Sequence, residues 1–194
     1  MKPIQIINGR AVPLNRSNID TDQIIPSDWL KQIERTGFER GLFSQWRDEP
    51  DFILNHEQYM GAKILLAGEN FGIGSSREHA VWAIQQYGFQ AVISSSFGDI
   101  FKNNSTKNGL LTVVLSEDSV QILMSEVETN PGIEFLVSVD TLTIEVPEID
   151  FKEPFFLAPG IQERILNGLD DIDLSLKHGE KIDSFEETRP IWMK

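Results

Sequence analysis

Gly68-Glu69-Asn70-Phe71-Gly72-Ile73-Gly74-Ser75-Ser76-Arg77-Glu78-His79-Ala80 joins two stretches of opposite character, and their junction decides the fold class. Before it, Lys63-Ile64-Leu65-Leu66-Ala67 is a short apolar run between Gly61 and Gly68, with the length and composition of a buried strand. After it, Ala80, Ala83, Ile84 and Tyr87 recur at i, i+3, i+4 and i+7, and Gly88 stands where a helix would end. A strand therefore empties through a glycine loop into a helix. Gly72 and Gly74 permit positive φ and close approach to bare backbone, and the first N–H groups of a helix lack internal partners, so an anion is the expected guest. The same residues also fit a simpler role, since Ser75-x-x-Glu78 has the spacing of a capping box. A P-loop would carry lysine where Ser75 stands, and a dinucleotide fingerprint would carry glycine at Arg77, so the loop is neither.

Outward from the loop, the pattern predicts strand Ala91-Val92-Ile93-Ser94, a short helix from Gly98 to Asn104, a strand from Leu110 to Leu115, and a helix after Ser116-Glu117-Asp118. Such alternation argues for an α/β fold with parallel βα units. Asn130-Pro131-Gly132 ends that helix, and 133–137 with 142–146 read as a hairpin around Asp140. Pro159-Gly160 opens a helix that closes at Asn167-Gly168, and the polar tail beyond carries little regular signal. At the other end, Asn8-Gly9 inside Ile4 to Val12 suggests a small opening hairpin. Asp20-Thr21-Asp22 fits either a functional acid pair or an Asx-type turn. Between about 29 and 60, six aromatics alternate irregularly with Lys31, Arg35, Arg40 and Arg47, the mark of a long connection packed by its own side chains, and such loops tend to be functional. Ser94-Ser95-Ser96 and Asn103-Asn104-Ser105 are polar strand and helix ends whose simplest reading is caps and turns. One domain over 1–194 is the expectation, with the 29–60 loop as an excursion and the C-terminal segment as a tail.

Composition removes several classes of function. The 194 residues carry a net charge of −13, which opposes general binding to nucleic acid or anionic membrane, so any anion site must be local. Residues 145–187 hold 12 acidic against 4 basic side chains, so the acidity gathers away from the glycine loop. There is no cysteine, hence no disulfide, no thiolate nucleophile and no thiolate-held iron–sulfur cluster. His56, His79 and His178 are too scattered for a zinc site. With neither a signal peptide nor an apolar run of the ~20 residues that span a bilayer, the expected location is the cytoplasm.

Gly72-Ile73-Gly74-Ser75-Ser76-Arg77-Glu78-His79-Ala80 resembles the serine-arginine loop of the swivelling β/β/α domain in the aconitase superfamily. Asn18-Ile19-Asp20-Thr21-Asp22-Gln23-Ile24-Ile25-Pro26, Arg35-Thr36-Gly37-Phe38, Leu42-Phe43 with Trp46-Arg47, and Asn167-Gly168-Leu169-Asp170 narrow the resemblance to the small-subunit family of the bacterial two-subunit 3-isopropylmalate dehydratases. It runs from about Gly9 to the C-terminus. The resemblance implies a hydro-lyase of leucine biosynthesis, isomerising 2- and 3-isopropylmalate through 2-isopropylmaleate, active only with a large subunit that carries a four-iron four-sulfur cluster. No cofactor is expected on this chain itself. By resemblance Ser75 matches the general base, Ser76 contacts substrate and Arg77 grips a substrate carboxylate. Lys31 and Arg35 fall in the region that recognises the variable side chain, and Gly72, Gly74, His79, Thr21 and Asp22 support the site. The segment from Phe97 to Phe101 is implied to pack beneath the serine loop, with Ser96 and Asn104 as supports. Glu39 departs from the family, where glycine often follows Phe38, which bears on the shape of the specificity loop. Alternatives are a homoaconitase or citraconate hydratase subunit, or a non-catalytic anion-binding module.

Overall fold

β1 (Ile6–Leu14) changes character midway, and the change organises the sheet. From Ile6 to Asn8 burial alternates and Gly9 and Arg10 are half-buried, whereas Ala11 to Leu14 are all buried. The first half pairs antiparallel with β5 (Glu134–Ser138), Ile6 opposite Ser138, and the second half pairs parallel with β2 (Ile64–Ala67), Leu14 opposite Ala67. Strands covered on one face alternate, while parallel strands covered on both faces are apolar throughout. Here one strand does both.

The structure is a computed structural model and describes residues 1–31, 34–190 and 192. Gln32 and Ile33 of the 29–60 loop, and 191, 193 and 194 of the tail, lie outside the described residues. In chain order the elements after β1 are α1 (Thr21–Ile24), α2 (Ser44–Arg47), β2, α3 (Glu78–Tyr87), β3 (Ala91–Ser94), α4 (Asp99–Asn108), β4 (Leu111–Val114) and α5 (Glu117–Thr129). There follow β5, β6 (Thr143–Val146), β7 (Phe151–Pro154), α6 (Pro159–Asn167), α7 (Asp171–Leu176) and α8 (Gly179–Glu187). The seven strands form one sheet in the order β4-β3-β2-β1-β5-β6-β7, parallel from β4 to β1 and antiparallel from β1 to β7.

The helices start and stop where the sequence provides caps. Gly88 closes α3, and Ser116 accepts the Ser119 N–H at the start of α5. α5 turns Val120, Leu123, Met124 and Val127 into the core across β1, β2 and β3. Every residue of β2 and β3 is buried, so both faces of the parallel half are covered. The connection from Trp29 to Met60 has no strand among its described residues and is held by its aromatics. Phe43 stacks on Trp46 at 5.3 Å, Phe52 meets both edge-on, and Phe38, Phe43, Phe52 and Tyr59 are buried.

Two expectations change. Asn8-Gly9 does not turn: it lies within β1, Gly9 opposite Phe135, because the antiparallel ladder to β5 runs unbroken from Ile6 to Arg10 and keeps the pair extended. Gly9 serves packing instead, since a Cβ there would lie 3.0 Å from the Lys63 side chain that crosses it. The polar tail is not irregular either, for α7 and α8 occupy most of 171–187, with Asp170 capping α7 through a reciprocal bond with Asp173.

Candidate active site

The chain leaves β1 and β2 at neighbouring points and the two exits stay in register beyond the sheet. Asn18 N–H donates to the Glu69 carbonyl at 2.8 Å, Gly72 N–H to Ile19 at 2.7 Å and Thr21 N–H to Ile73 at 2.9 Å. Asn18 and Asn70 each take φ 56°, a left-handed conformation that asparagine tolerates, and the Asn70 amide donates to the Asn18 side-chain oxygen at 2.8 Å. The exit from β3 lies beneath: Phe71 N–H donates to the Ser96 carbonyl at 3.0 Å, and the Ser96 hydroxyl accepts from Asn70 N–H at 2.8 Å. A Cβ on Gly72 would lie 2.4 Å from Phe101 Cγ, and one on Gly98 would lie 2.4 Å from the Gly72 carbonyl oxygen. The serine loop is therefore clamped between the segments that follow β1 and β3, at the C-terminal ends of parallel strands where α/β sheets bind ligands.

On this platform Gly74, Ser75 and Ser76 are exposed. The buried Thr21 hydroxyl donates to the Ser75 carbonyl at 2.9 Å and lies 3.4 Å from Ser75 Oγ. Asp22 pairs with Arg77 Nη1, which also reaches the Ile25 carbonyl at 3.4 Å. Among the described residues Arg77 Nε and Nη2 make no hydrogen bond, so one edge of the guanidinium is anchored and the bidentate edge has no protein partner. Asp20 caps α1 by a reciprocal bond with Gln23, so the Asp20-Thr21-Asp22 stretch both forms a turn and faces the loop.

His79 is half-buried against Phe38, edge-on at 5.2 Å, and Trp82 at 4.7 Å. Burial holds its pKa below the ordinary 6.5 and the Arg77 charge adds to this, while Glu78 opposes it. Arg35 reaches the same cluster, its guanidinium 5.4 Å from the Trp82 ring centre. Lys31 pairs with Asp28 at 3.1 Å and stands well exposed; no hydrogen bond or ion pair among the described residues links it to the serine loop. Asn104 contributes its carbonyl to Asn108 rather than to the loop.

The helix begins later than the capping-box spacing suggests. α3 opens at Glu78 with Arg77 as its cap residue, so Ser75 and Ser76 precede it by two residues or more. The cap residue makes no side-chain cap bond and the Glu78 carboxylate accepts from Asn108 at 2.8 Å, so there is no capping box. Residues that sequence patterns do not single out are Trp82 and Gln86. Gln86 accepts from Phe38 N–H at 2.9 Å and donates to the Arg35 carbonyl at 2.8 Å, fastening the 29–60 loop to α3. Both lie outside the apolar stripe of α3, and the Phe38 they meet is distant in the chain, so no local pattern marks them.

Among the described residues no group of three or more His, Asp or Glu side chains is placed to hold a metal ion, and no helix is long and apolar enough to cross a membrane. The donor set does not fit an iron–sulfur cluster, since the chain offers no thiolate. An open cavity of about 810 Å³ lies at the other end of the parallel strands, against Met1, Gln85 and Asn108, away from the serine loop.

The family model for the aconitase C-terminal domain matches residues 1–118. A 3-isopropylmalate dehydratase small subunit of Rubrobacter xylanophilus is 52% identical over 193 residues, 100% of this chain and 98% of the relative. That of Frankia casuarinae is 54% identical over 192 residues, 99% of this chain and 97% of the relative. A crystal structure of 3-isopropylmalate dehydratase from Methanocaldococcus jannaschii has a TM-score of 0.67 at 28% identity, covering 93% of this chain and 99% of that one.

Proposed function

The chain belongs to the 3-isopropylmalate dehydratase small subunits of the aconitase superfamily, and from that premise we propose that it acts in the cytoplasm as the swivelling half of a hydro-lyase. With a large subunit it interconverts 2- and 3-isopropylmalate by dehydration and rehydration in leucine biosynthesis. The whole chain moves as one unit, and the substrate lies between its serine loop and the large subunit.

Dehydration removes a proton from a carbon next to a carboxylate while hydroxide departs, so the site needs a base, a carboxylate clamp and an electrophile. The electrophile is supplied by the four-iron four-sulfur cluster that we place on the large subunit, because this chain lacks its ligands. Ser75 takes the proton. Ser75 stands on the exposed surface of the loop, and the nearby Arg77 charge favours the alkoxide once water is excluded. The Thr21 hydroxyl has one proton; given to the Ser75 carbonyl in the resting state, it can turn to Ser75 Oγ as negative charge develops there. Ser76 contacts the substrate, and Arg77 offers its Nε–Nη2 edge to a carboxylate, with Asp22 holding the other edge. Gly72 and Gly74 shape the loop. His79 orients neighbours and does not take the proton. Arg35, stacked over Trp82 beside His79, reads the substrate side chain, and Lys31 joins it by leaving an exposed pair with Asp28 worth about 0–1 kcal/mol.

The observation that carries this reading is the meeting of Thr21 with Ser75 and of Asp22 with Arg77, which builds half of a site on an exposed surface. The test is to purify the chain alone and with the large subunit of the same organism and to assay dehydration of 2-isopropylmalate. The chain alone should be colourless and inactive and the mixture active. Turnover by the isolated chain, or preferential turnover of homoaconitate or citraconate by the mixture, would reject the assignment.

A further inference from the structure

α7 and α8 are helices without a floor. None of their residues is buried, although between them they present Ile172, Leu176, Ile182 and Phe185, all exposed, with Trp192 exposed beyond. Ile172 and Leu176 are four apart and Ile182 and Phe185 three apart, so each pair shares one face of its helix. Helices of six and nine residues are marginal on propensity alone. Yet this segment is prepared to be helical: Asp170 caps α7, and Arg164, itself nearly buried, holds Asp171 at its start.

The segment is rooted at a defined place. The Met1 ammonium donates to the Gly168 carbonyl at 2.9 Å and Ile4 N–H to the Ile165 carbonyl at 3.0 Å, so α7 leaves the fold beside the start of β1. The serine loop follows the other end of β1 and β2, about 30 Å away at ~3.3 Å per residue.

Charge selects the occupant. Residues 170–187 carry seven acidic and two basic side chains, a net −5 on a chain of net −13. A second copy would set these faces against each other with like charges opposed. We propose that α7 and α8 form a docking arm for the large subunit, their apolar faces entering an apolar groove edged by lysine and arginine. This rests on the reading above that the chain works with a large subunit. Because the arm is rooted far from the serine loop, it retains the partner while the catalytic end opens and closes.

The test uses the full chain and the large subunit. The double variants Ile172→Ser/Leu176→Ser and Ile182→Ser/Phe185→Ser should leave the melting temperature of the isolated chain unchanged, since these side chains are exposed. They should weaken association by a hundredfold or more in titration calorimetry, with kcat at saturating large subunit within twofold of the parent. Glu186→Lys/Glu187→Lys should weaken association and flatten its dependence on salt. Unchanged affinity in both apolar variants overturns the arm, as does self-association of the isolated chain that these variants abolish. If the parent proteins neither bind nor turn over substrate, the functional reading itself falls and the arm with it; if they do both and the apolar variants bind as tightly as the parent, the arm alone falls.

Discussion

The Thr21 hydroxyl donates to the Ser75 carbonyl at 2.9 Å and stands 3.4 Å from the Ser75 hydroxyl, tying residues 54 apart in sequence into one unit. If that hydroxyl follows charge onto Ser75 Oγ, its loss acts on the rate and not only on the fold. Thr21→Val should cost about 1 kcal/mol of stability and lower kcat by about tenfold, the effect of ~1.4 kcal/mol in the transition state. Thr21→Ser should restore kcat. Steady-state kinetics and thermal melts decide; a stability loss with unaltered kcat would reduce Thr21 to a structural strut.

The proposed base is Ser75, and His79 is the rival candidate. Because Ser75 does not cap α3, Ser75→Ala should barely change the melting temperature while kcat falls by orders of magnitude with assembly intact. His79→Gln should keep most of kcat. The opposite pattern would make His79 the base.

The lowered pKa of His79 also gives a pH signature. Its neutral form is favoured in the folded state, so between the folded value and 6.5 the unfolded chain binds more protons. The contribution to stability is complete above pH 6.5 and is lost as pH falls through that window toward the folded pKa. Chemical denaturation at stepped pH should show this acid-side decline, and His79→Gln should remove it.

Arg77 is anchored chiefly by Asp22, since the Ile25 carbonyl at 3.4 Å is near the limit of a useful hydrogen bond. Asp22→Asn should therefore loosen the guanidinium and raise KM severalfold, and Arg77→Lys should raise it further because a single ammonium cannot pair bidentately. A fall in KM for Asp22→Asn would show instead that Asp22 competes with the substrate.

Gly72 and Gly74 have φ of +72° and +94°, but only Gly72 lacks room. Gly74→Ala, its Cβ 3.5 Å from the Asp20 side chain, should cost about 1–2 kcal/mol for the left-handed conformation. Gly72→Ala adds a collision with Phe101 and should cost about 3 kcal/mol or more. Denaturant titrations of both variants check the difference.

Much of this was legible locally. The apolar runs of β2 and β3 and the glycines after α3 and α6 mark their own boundaries, because burial on both faces and helix termination are written in adjacent residues. The errors arise where a distant partner overrides a local signal. Asn8-Gly9 carries a hairpin signature that the unbroken ladder from β1 to β5 overrides, and Ser75-x-x-Glu78 carries a cap signature whose carboxylate is taken by Asn108 and whose serine lies outside the helix. The tail hides two helices because their apolar residues are few and face outward, leaving no core stripe to read. At the site, the serine loop and Asp20-Thr21-Asp22 are visible as motifs, but their contact is not, nor is the role of Gln86 in fastening the 29–60 loop.

The divided pairing of β1 has a consequence for how the protein is made. Its second half finds β2 within the first 67 residues, but Ile6 must wait for Ser138. At ~5–20 residues per second a ribosome needs roughly 7–26 s to deliver that partner. Until then, Ile6 to Arg10 is an open strand edge on a nascent chain, the kind of surface that chaperones cover and aggregates recruit. A fragment ending at residue 118, where the family model stops matching, would keep that edge for good. The stretch that the family model matches is therefore not a unit that closes on itself; β1 is completed only by what is translated after it.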